Sequence, residues 1–305
     1  MGDPVEVGVV GLGKMGAALA RRFLAQGAEV TVWNRSPAAL ETLVAEGARK
    51  AATAREVWNT AETVFTFLAD DTAVRRVLLG ESGLASGGAE HRLLVEMSTI
   101  SLAASAEIAT AMKRAGVAYL RCPVSGNPSL LAAGNLTLIV SGDEAAFAAA
   151  GDLLALVGAR VLYVGSTDEA RTMKLAVNAM LAATAQALAE AIVLCEASGV
   201  DRSTALEVIA SSAIRSPFID YKTQPLIECR YEATFTTAML AKDLRLVAEA
   251  AASVRVKLPL AELVGHLAEQ ASTEGLADLD FMALLVRLQV LAGRSTDVPT
   301  TALNR

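Results

Sequence analysis

The chain opens by alternating short apolar runs with segments whose large apolar residues recur at helical spacing. Val5–Val10 reads as a short buried strand and Gly11–Met15 as a glycine-punctuated turn. Gly16–Gln26 carries Leu19 and Phe23 at helical spacing, and Gly27 ends that helix before a second strand at Ala28–Trp33. Ser36-Pro37 predicts another helix start, because serine caps well and proline suits the first helical position. Val64–Leu68 and Leu93–Met97 repeat the strand pattern, with helices expected near Thr72–Leu79 and Leu102–Ala115. Val117–Leu120 and Leu136–Val140 follow as strands, Ala145–Leu156 as a helix and Arg160–Val164 as one more short strand. Strands alternating with helices predict a mostly parallel sheet covered on both faces.

After the hinge-like stretch Gly165-Ser166-Thr167-Asp168 the pattern changes. Glu169–Ser198 is helical throughout, and no strand pattern follows it. Thr204–Ile209, Met239–Ala252, Pro259–Glu269 and Asp280–Val290 all carry helical spacing. The expectation is an α/β domain over residues 1–165 and an all-helical C-terminal domain over 166–295, joined by a long interdomain helix. A loose tail would occupy 296–305. A helix this long and rich in alanine is expected to be buried on several sides, one of them by a neighbouring subunit.

Composition narrows the classes. With 53% apolar and 20% charged residues the chain is not a disordered one. Its 27 basic and 33 acidic residues give a net charge of -6, so there is no electrostatic reason to expect a nucleic-acid partner. Cys122, Cys195 and Cys229 form no CxxC unit and cannot all pair, which points to a reducing compartment. The N-terminus lacks the basic and apolar regions of a signal peptide, so a cytoplasmic location is expected. The mean hydropathy of +0.42 traces to alanine. The longest apolar helix is interrupted by Asn178, Thr184, Gln186 and Glu190, and no membrane span is expected. His91 and His266 stand far apart without metal-type spacing, so neither a histidine mechanism nor a metal site is expected.

Gly11-Leu12-Gly13-Lys14-Met15-Gly16 is a GxGxxG motif that follows a strand and opens a helix. That context predicts a Rossmann-type dinucleotide site. Gly11 permits the tight turn, Gly13 lets a pyrophosphate approach the backbone, and Gly16 lets the helix pack on the sheet. The free N–H groups of the helix start would face the phosphates. The second strand ends in Asn34-Arg35-Ser36, with no acid to accept both ribose hydroxyls or to repel a 2′-phosphate. Asn34 and Ser36 can donate hydrogen bonds, and Arg35 can fork onto a phosphate and stack on adenine. NADP(H) is therefore expected in preference to NAD(H). The alternative for Arg35 is a solvated surface residue.

A nicotinamide enzyme acting on a carbonyl needs a proton donor. Lys174 lies in the first turns of the long helix, and Asn178, four residues on, shares its face. Its neighbours Met173, Leu175, Ala176 and Val177 are apolar, and burial lowers a lysine's pKa. The same spacing also fits a surface pair on an amphipathic helix.

Six segments in order resemble the β-hydroxyacid dehydrogenase family, which includes 3-hydroxyisobutyrate dehydrogenases and glyoxylate/succinic semialdehyde reductases. They are Val9–Gly16, Phe67-Leu68-Ala69-Asp70-Asp71, Glu96–Ser101, Cys122–Asn127, Lys174-Leu175-Ala176-Val177-Asn178 and Lys242-Asp243-Leu244. The resemblance implies an active site between the two domains, with Lys174 as general acid/base and Asn178 orienting substrate or lysine. It implies that Ser125, Gly126 and Asn127 hold the substrate carboxylate, with Ser98 and Thr99 bordering the same pocket. It also implies that Leu68, Ala69, Asp70, Thr99 and Lys242 approach the cofactor, Lys242 adding positive charge near nicotinamide or substrate. The partners it implies are a small carbonyl or hydroxyacid substrate and a second or further copy of the chain, as a homodimer or homotetramer built on the helical domain.

Three departures from the family pattern bear on the substrate. Asn127 replaces a glycine. Arg121 stands where an Asp is frequent, either to form a salt bridge or to recognise an extra acidic group. Asp168 and Ala170 replace glycines, which would stiffen the hinge or make the pocket mouth more polar. Phe218, Tyr221, Tyr231, Phe235 and Met239 are either core residues or a distal substrate wall. Two other functions compete. An imine reductase would typically carry Asp or Tyr in place of Lys174, and a non-catalytic dinucleotide-binding scaffold would lack the proton donor.

Overall fold

Val7, Val9 and Val10 are fully buried, and the strand they form, β1 (Glu6–Val10), lies inside a nine-stranded sheet, paired on both edges. The computed structural model describes residues 5–86, 91–296 and 298. The remaining strands are β2 (Glu29–Trp33), β3 (Arg49–Lys50), β4 (Thr63–Thr66), β5 (Leu93–Glu96), β6 (Ala118–Arg121), β7 (Val124–Ser125), β8 (Leu136–Gly142) and β9 (Gly158–Gly165). Their order is β3-β2-β1-β4-β5-β6-β8-β7, with β9 beside β8. The first six are parallel, β8 runs antiparallel to β6 and β7, and β9 is parallel to β8.

Alternation along the strands divides the core. Val7, Val9, Phe65 and Val95 join Leu19 and Phe23 of α1 (Lys14–Ala25) and Leu40 and Leu43 of α2 (Pro37–Ala45) in one apolar cluster. Val10, Val64 and Leu94 join Val74 of α3 (Asp71–Val74) and Ile108 and Met112 of α4 (Leu102–Arg114) in another. The first helix starts at Lys14, two residues before the expected start, because Gly13 already serves as its N-cap. Pro37 is the first residue of α2, but the Ser36 side chain at the cap position makes no capping bond. A π-helical turn carries α3 on to Leu79.

Within residues 5–165, four short elements have no counterpart in the sequence pattern. They are β3, made of two exposed charged residues, a 3₁₀ turn at Arg55–Asn59, β7, and α5 (Pro128–Ala132), capped by Asn127. The expected helix at 145–156 is two, α6 (Glu144–Ala149) and α7 (Gly151–Val157).

The long helix is α8 (Glu169–Ala197). The chain forms two compact units, Met1–Leu175 and Ala176–Arg305, and the division between them falls inside this helix. Arg171, Leu175, Asn178, Ala182, Ala185, Ala189 and Ile192 make its buried stripe, while Met180 and Leu194 are exposed. No uninterrupted apolar run in it reaches the roughly 18 residues of a membrane span. Averaged over 18 residues, however, it is apolar enough to cross a membrane on length and composition, a test that core helices of soluble proteins also pass.

The second unit continues with α9 (Arg202–Ala210), α10 (Pro217–Ile227), α11 (Thr237–Ser253), α12 (Pro259–Ala271) and α13 (Leu284–Leu291). The last was expected from Asp280; instead Asp280 caps a 3₁₀ turn at Phe281–Ala283. Lys222 of α10 puts its Nζ 2.7 Å from both Asp280 carboxylate oxygens, a buried pair that ties α10 to that turn. Apart from Thr296 and Val298, the expected tail lies outside the described residues.

Candidate active site

Strand register builds the site. Trp33, Val10, Thr66, Glu96 and Arg121 form one row across β2, β1, β4, β5 and β6. The residues that follow each of them therefore leave the sheet along its C-terminal edge, where open α/β sheets bind ligands. These are Gly11, Asn34, Phe67, Met97 and Cys122. Every candidate residue of the first unit except Ser125, Gly126, Asn127 and Lys174 lies on the loops after β1, β2, β4 and β5 or in the first turns of α1.

At the first loop Gly11 takes φ +90°, and a Cβ there would stand 2.2 Å from the Phe67 carbonyl oxygen. A Cβ on Gly16 would stand 1.8 Å from the Gly11 carbonyl oxygen, so the helix start lies directly on the turn. Among the described residues nothing lies within 4 Å of a Cβ placed on Gly13, and no acid lies in the first turn of α1. The helix start is thus an open, positively polarised backbone surface where a phosphate can approach. Lys14 is exposed and Met15 half-buried beside it. Asn34 closes the loop from the neighbouring strand: its Oδ1 accepts from Leu12 N–H at 3.0 Å and its Nδ2 donates to Ser36 O at 2.9 Å. Arg35 and Ser36 are exposed. The open helix start at Gly13 and the exposed Arg35 and Ser36 fit a dinucleotide.

The loops after β4 and β5 hold one another. Ser98 Oγ accepts from Leu68 N–H at 2.8 Å, and Asp71 accepts from Ser101 N–H at 2.9 Å and Ser101 Oγ at 2.5 Å. Asp70 caps α3 through Ala73 N–H at 2.8 Å, and Ala69 beside it is exposed. Beneath Ser98 lies a pair that motif reading gave no role. Glu96 and Arg171, 0% and 1% exposed, form an ion pair. Glu96 Oε1 accepts from Ser98 N–H at 2.9 Å, and Arg171 donates to Ser98 O at 2.6 Å and Tyr119 Oη at 3.2 Å. The backbone of Ser98 is thus gripped on both sides, and Thr99, half-buried, follows it. The signal available in the sequence was the acid that ends the apolar run Leu93–Val95.

Ser125, Gly126 and Asn127 have local duties in the fold. Gly126 takes φ +141°, where a Cβ would press on Leu136 at 2.4 Å, and half-buried Ser125 precedes it. Asn127 Oδ1 accepts from Leu130 N–H at 3.0 Å, so asparagine stands there as the cap of α5. Arg121 Nε donates to Asp168 Oδ1 at 2.7 Å, so two of the three departures are one salt bridge. The stretch 165–168, read as a hinge, is anchored through it.

On α8, Arg171, Lys174 and Asn178 are spaced to share one face, and Lys174 is half-buried. In the second unit Asn178 Nδ2 donates to Asp243 Oδ2 at 2.6 Å, and Lys242 Nζ lies 2.9 Å from Asp243 Oδ1. Both Asn178 and Asp243 are buried. The carboxylate fixes the amide so that Asn178 Oδ1 points away from it as an acceptor. Asp243 belongs to the motif Lys242-Asp243-Leu244, and only its bond to Asn178 gives it a role. Of the aromatic candidates, Tyr231 is core, Phe218 and Phe235 pack on Phe281, and Tyr221 and Met239 are about half exposed.

Residues 6–165 match the NAD-binding domain of 6-phosphogluconate dehydrogenase, and residues 169–288 match the NAD-binding region of NADP-dependent 3-hydroxyisobutyrate dehydrogenase. The chain is 37% identical to the uncharacterized oxidoreductase YfjR of Bacillus subtilis, over 92% of this chain and 99% of that one. It is 31% identical to the chloroplastic glyoxylate/succinic semialdehyde reductase 2 of Arabidopsis thaliana, over 95% of this chain and 81% of that one. The crystal structure of 3-hydroxyisobutyrate dehydrogenase from Salmonella typhimurium superposes with a TM-score of 0.84 at 30% identity, covering 92% of this chain and 99% of that one.

Proposed function

The chain belongs to the β-hydroxyacid dehydrogenase family of NADP(H)-binding oxidoreductases, and on that premise we propose that it interconverts a small aldehyde or keto acid and its hydroxyacid. Lys174 is the general acid in reduction and the general base in oxidation. The observation that carries this reading is the face of α8 that bears Lys174 and Asn178, with the Asn178 amide held by buried Asp243.

Gly11–Gly16 and Arg35 would hold the dinucleotide, whose nicotinamide would supply the hydride for the carbonyl carbon. As the C=O electron pair moves onto oxygen, Lys174 Nζ gives it a proton, and the neutral amine then regains one from solvent. Asn178 Oδ1 accepts a hydrogen bond from the lysine or the substrate hydroxyl. Ser125, Gly126 and Asn127 bind the substrate carboxylate, and Ser98 and Thr99 border the reacting carbon. Lys242 places positive charge near the nicotinamide or substrate. Arg35 favours NADPH over NADH. Met180, Leu194 and Val208, exposed and apolar, support a homodimer or homotetramer built on the helical unit.

The test is reduced-nicotinamide consumption with NADPH and NADH in parallel. The panel is glyoxylate, succinic semialdehyde, methylmalonate semialdehyde, tartronate semialdehyde and a cyclic imine. NADPH-selective turnover of an acid aldehyde, lost in Lys174→Ala with cofactor binding intact, is expected. Turnover of the imine alone would make the protein an imine reductase instead. Full activity in Lys174→Ala would remove the assigned proton donor.

A further inference from the structure

The start of α8 is fastened to the sheet at several points. Asp168 Oδ1 accepts from Ser105 Oγ of α4 at 2.5 Å and from Arg121 Nε of β6 at 2.7 Å. The Asp168 carbonyl accepts from Thr172 N–H at 3.1 Å and closes the first turn of α8. Ser141 Oγ of β8 donates to Thr167 O at 2.7 Å and accepts from Ala170 N–H at 3.2 Å. Arg171 adds its bonds to β5 and to Ser98. Arg121 is 7% exposed, and its guanidinium carbon lies 4.8 Å from the Tyr119 ring centroid, which fixes the direction from which it meets Asp168.

From this geometry we infer that Arg121 and Asp168 are positioning residues for the reaction: they set where the first turns of α8 hold Lys174 relative to the C-terminal edge of the sheet. The inference rests on the reading of Lys174 as proton donor and adds two residues that act on it through the start of α8. Lys174 lies six residues beyond Asp168, about 9 Å along the helix axis at 1.5 Å per residue. A tilt of about ten degrees at Asp168 moves Lys174 by roughly 1.5 Å by that lever. A misplacement of ~1 Å costs on the order of 100-fold in rate. The buried Arg171 anchor persists when Asp168 is altered, so the loss expected is smaller, about 10- to 30-fold in kcat.

The experiment compares Arg121→Ala, Asp168→Ala, the double variant, Asp168→Asn and Lys174→Ala, all assayed well below their unfolding temperatures. Asparagine at 168 keeps an oxygen that accepts from Ser105 and Arg121. The expected result is a kcat loss in both alanine variants, with KM and the NADPH dissociation constant changed by less than about 3-fold. The double variant should be no worse than the poorer single, because the two act as one contact. Asp168→Asn should recover most of kcat. With 4-deuterated NADPH the primary isotope effect should rise in the alanine variants, as the chemical step becomes limiting.

Unchanged kcat in Arg121→Ala and Asp168→Ala, beside an inactive Lys174→Ala, would overturn the positioning role and leave the function standing. So would a loss that only tracks the folded fraction, with an unchanged isotope effect. An active Lys174→Ala would overturn both.

Discussion

The buried pair under Ser98 gives the sharpest stability test. In Glu96→Gln the shape is kept and the charge is lost, leaving the Arg171 guanidinium unpaired at 1% exposure. Removing one partner of a buried ion pair costs about 3–5 kcal/mol. At this size of unit that lowers the unfolding temperature by roughly 6–20 °C. The two tryptophans, Trp33 and Trp58, both lie in the first unit, so fluorescence during urea or thermal unfolding follows that unit alone. Trp58 is buried and donates from Nε1 to Leu84 O at 3.1 Å, which makes its emission sensitive to loss of packing. Glu96→Leu combined with Arg171→Met removes both charges but leaves the Ser98 N–H and C=O without these partners, at about 1–3 kcal/mol each. The double variant should therefore be more stable than the sum of its singles and less stable than the parent protein. A cost below about 1 kcal/mol for Glu96→Gln, or strict additivity in the double, would refute the view that the two charges are coupled in the interior.

Two further outcomes are expected. Arg35→Asp should weaken use of NADPH by more than that of NADH, measured as kcat/KM for each cofactor; an equal effect on both would show that Arg35 does not read the 2′-phosphate. Burial pushes the Cys122 thiol up to about 12, with Arg171 opposing and Glu96 adding to the rise. Its folded value lies above the ordinary 9.0, so its stabilisation is complete below pH 9 and is lost as pH rises toward 12. The slope from this one thiol is about 1.4 kcal/mol per pH unit. Urea titrations at pH 8 and pH 10.5 should show Cys122→Ala falling less than the parent, and parallel losses would refute the assignment.

Elements whose own residues dictate them were legible in the sequence. The run at Val5–Val10, the glycine turn and the long alanine-rich helix carry local signals strong enough to place the cofactor loop and Lys174. The edge strand at Arg49–Lys50 is made by pairing with β2, since its exposed charged residues have no strand pattern of their own. The helix at Pro217–Ile227 contains Pro225 and mixes Lys222 and Tyr221 into its face, which hides its period. Pairings over long sequence distance were invisible. Arg121 and Asp168 are 47 residues apart and were noted one by one, each as a departure. Arg171 reads locally as a surface arginine, yet it is among the most deeply buried side chains of the protein. Asp243 needed its partner Asn178, 65 residues away, before a role could be given to it.

The Asn34 amide has a consequence for redesign. Because it bonds to Leu12 on one side and Ser36 on the other, the glycine turn and the loop proposed to select the cofactor are mechanically one part. A change of coenzyme preference cannot be grafted by exchanging residues 34–36 as a cassette. An acid at position 34 could still accept from Leu12 N–H, but it would oppose the Ser36 carbonyl and loosen the loop it was meant to retune. Engineering toward NADH is better confined to Arg35 and Ser36, with Asn34 kept as the fixed joint between the two modules.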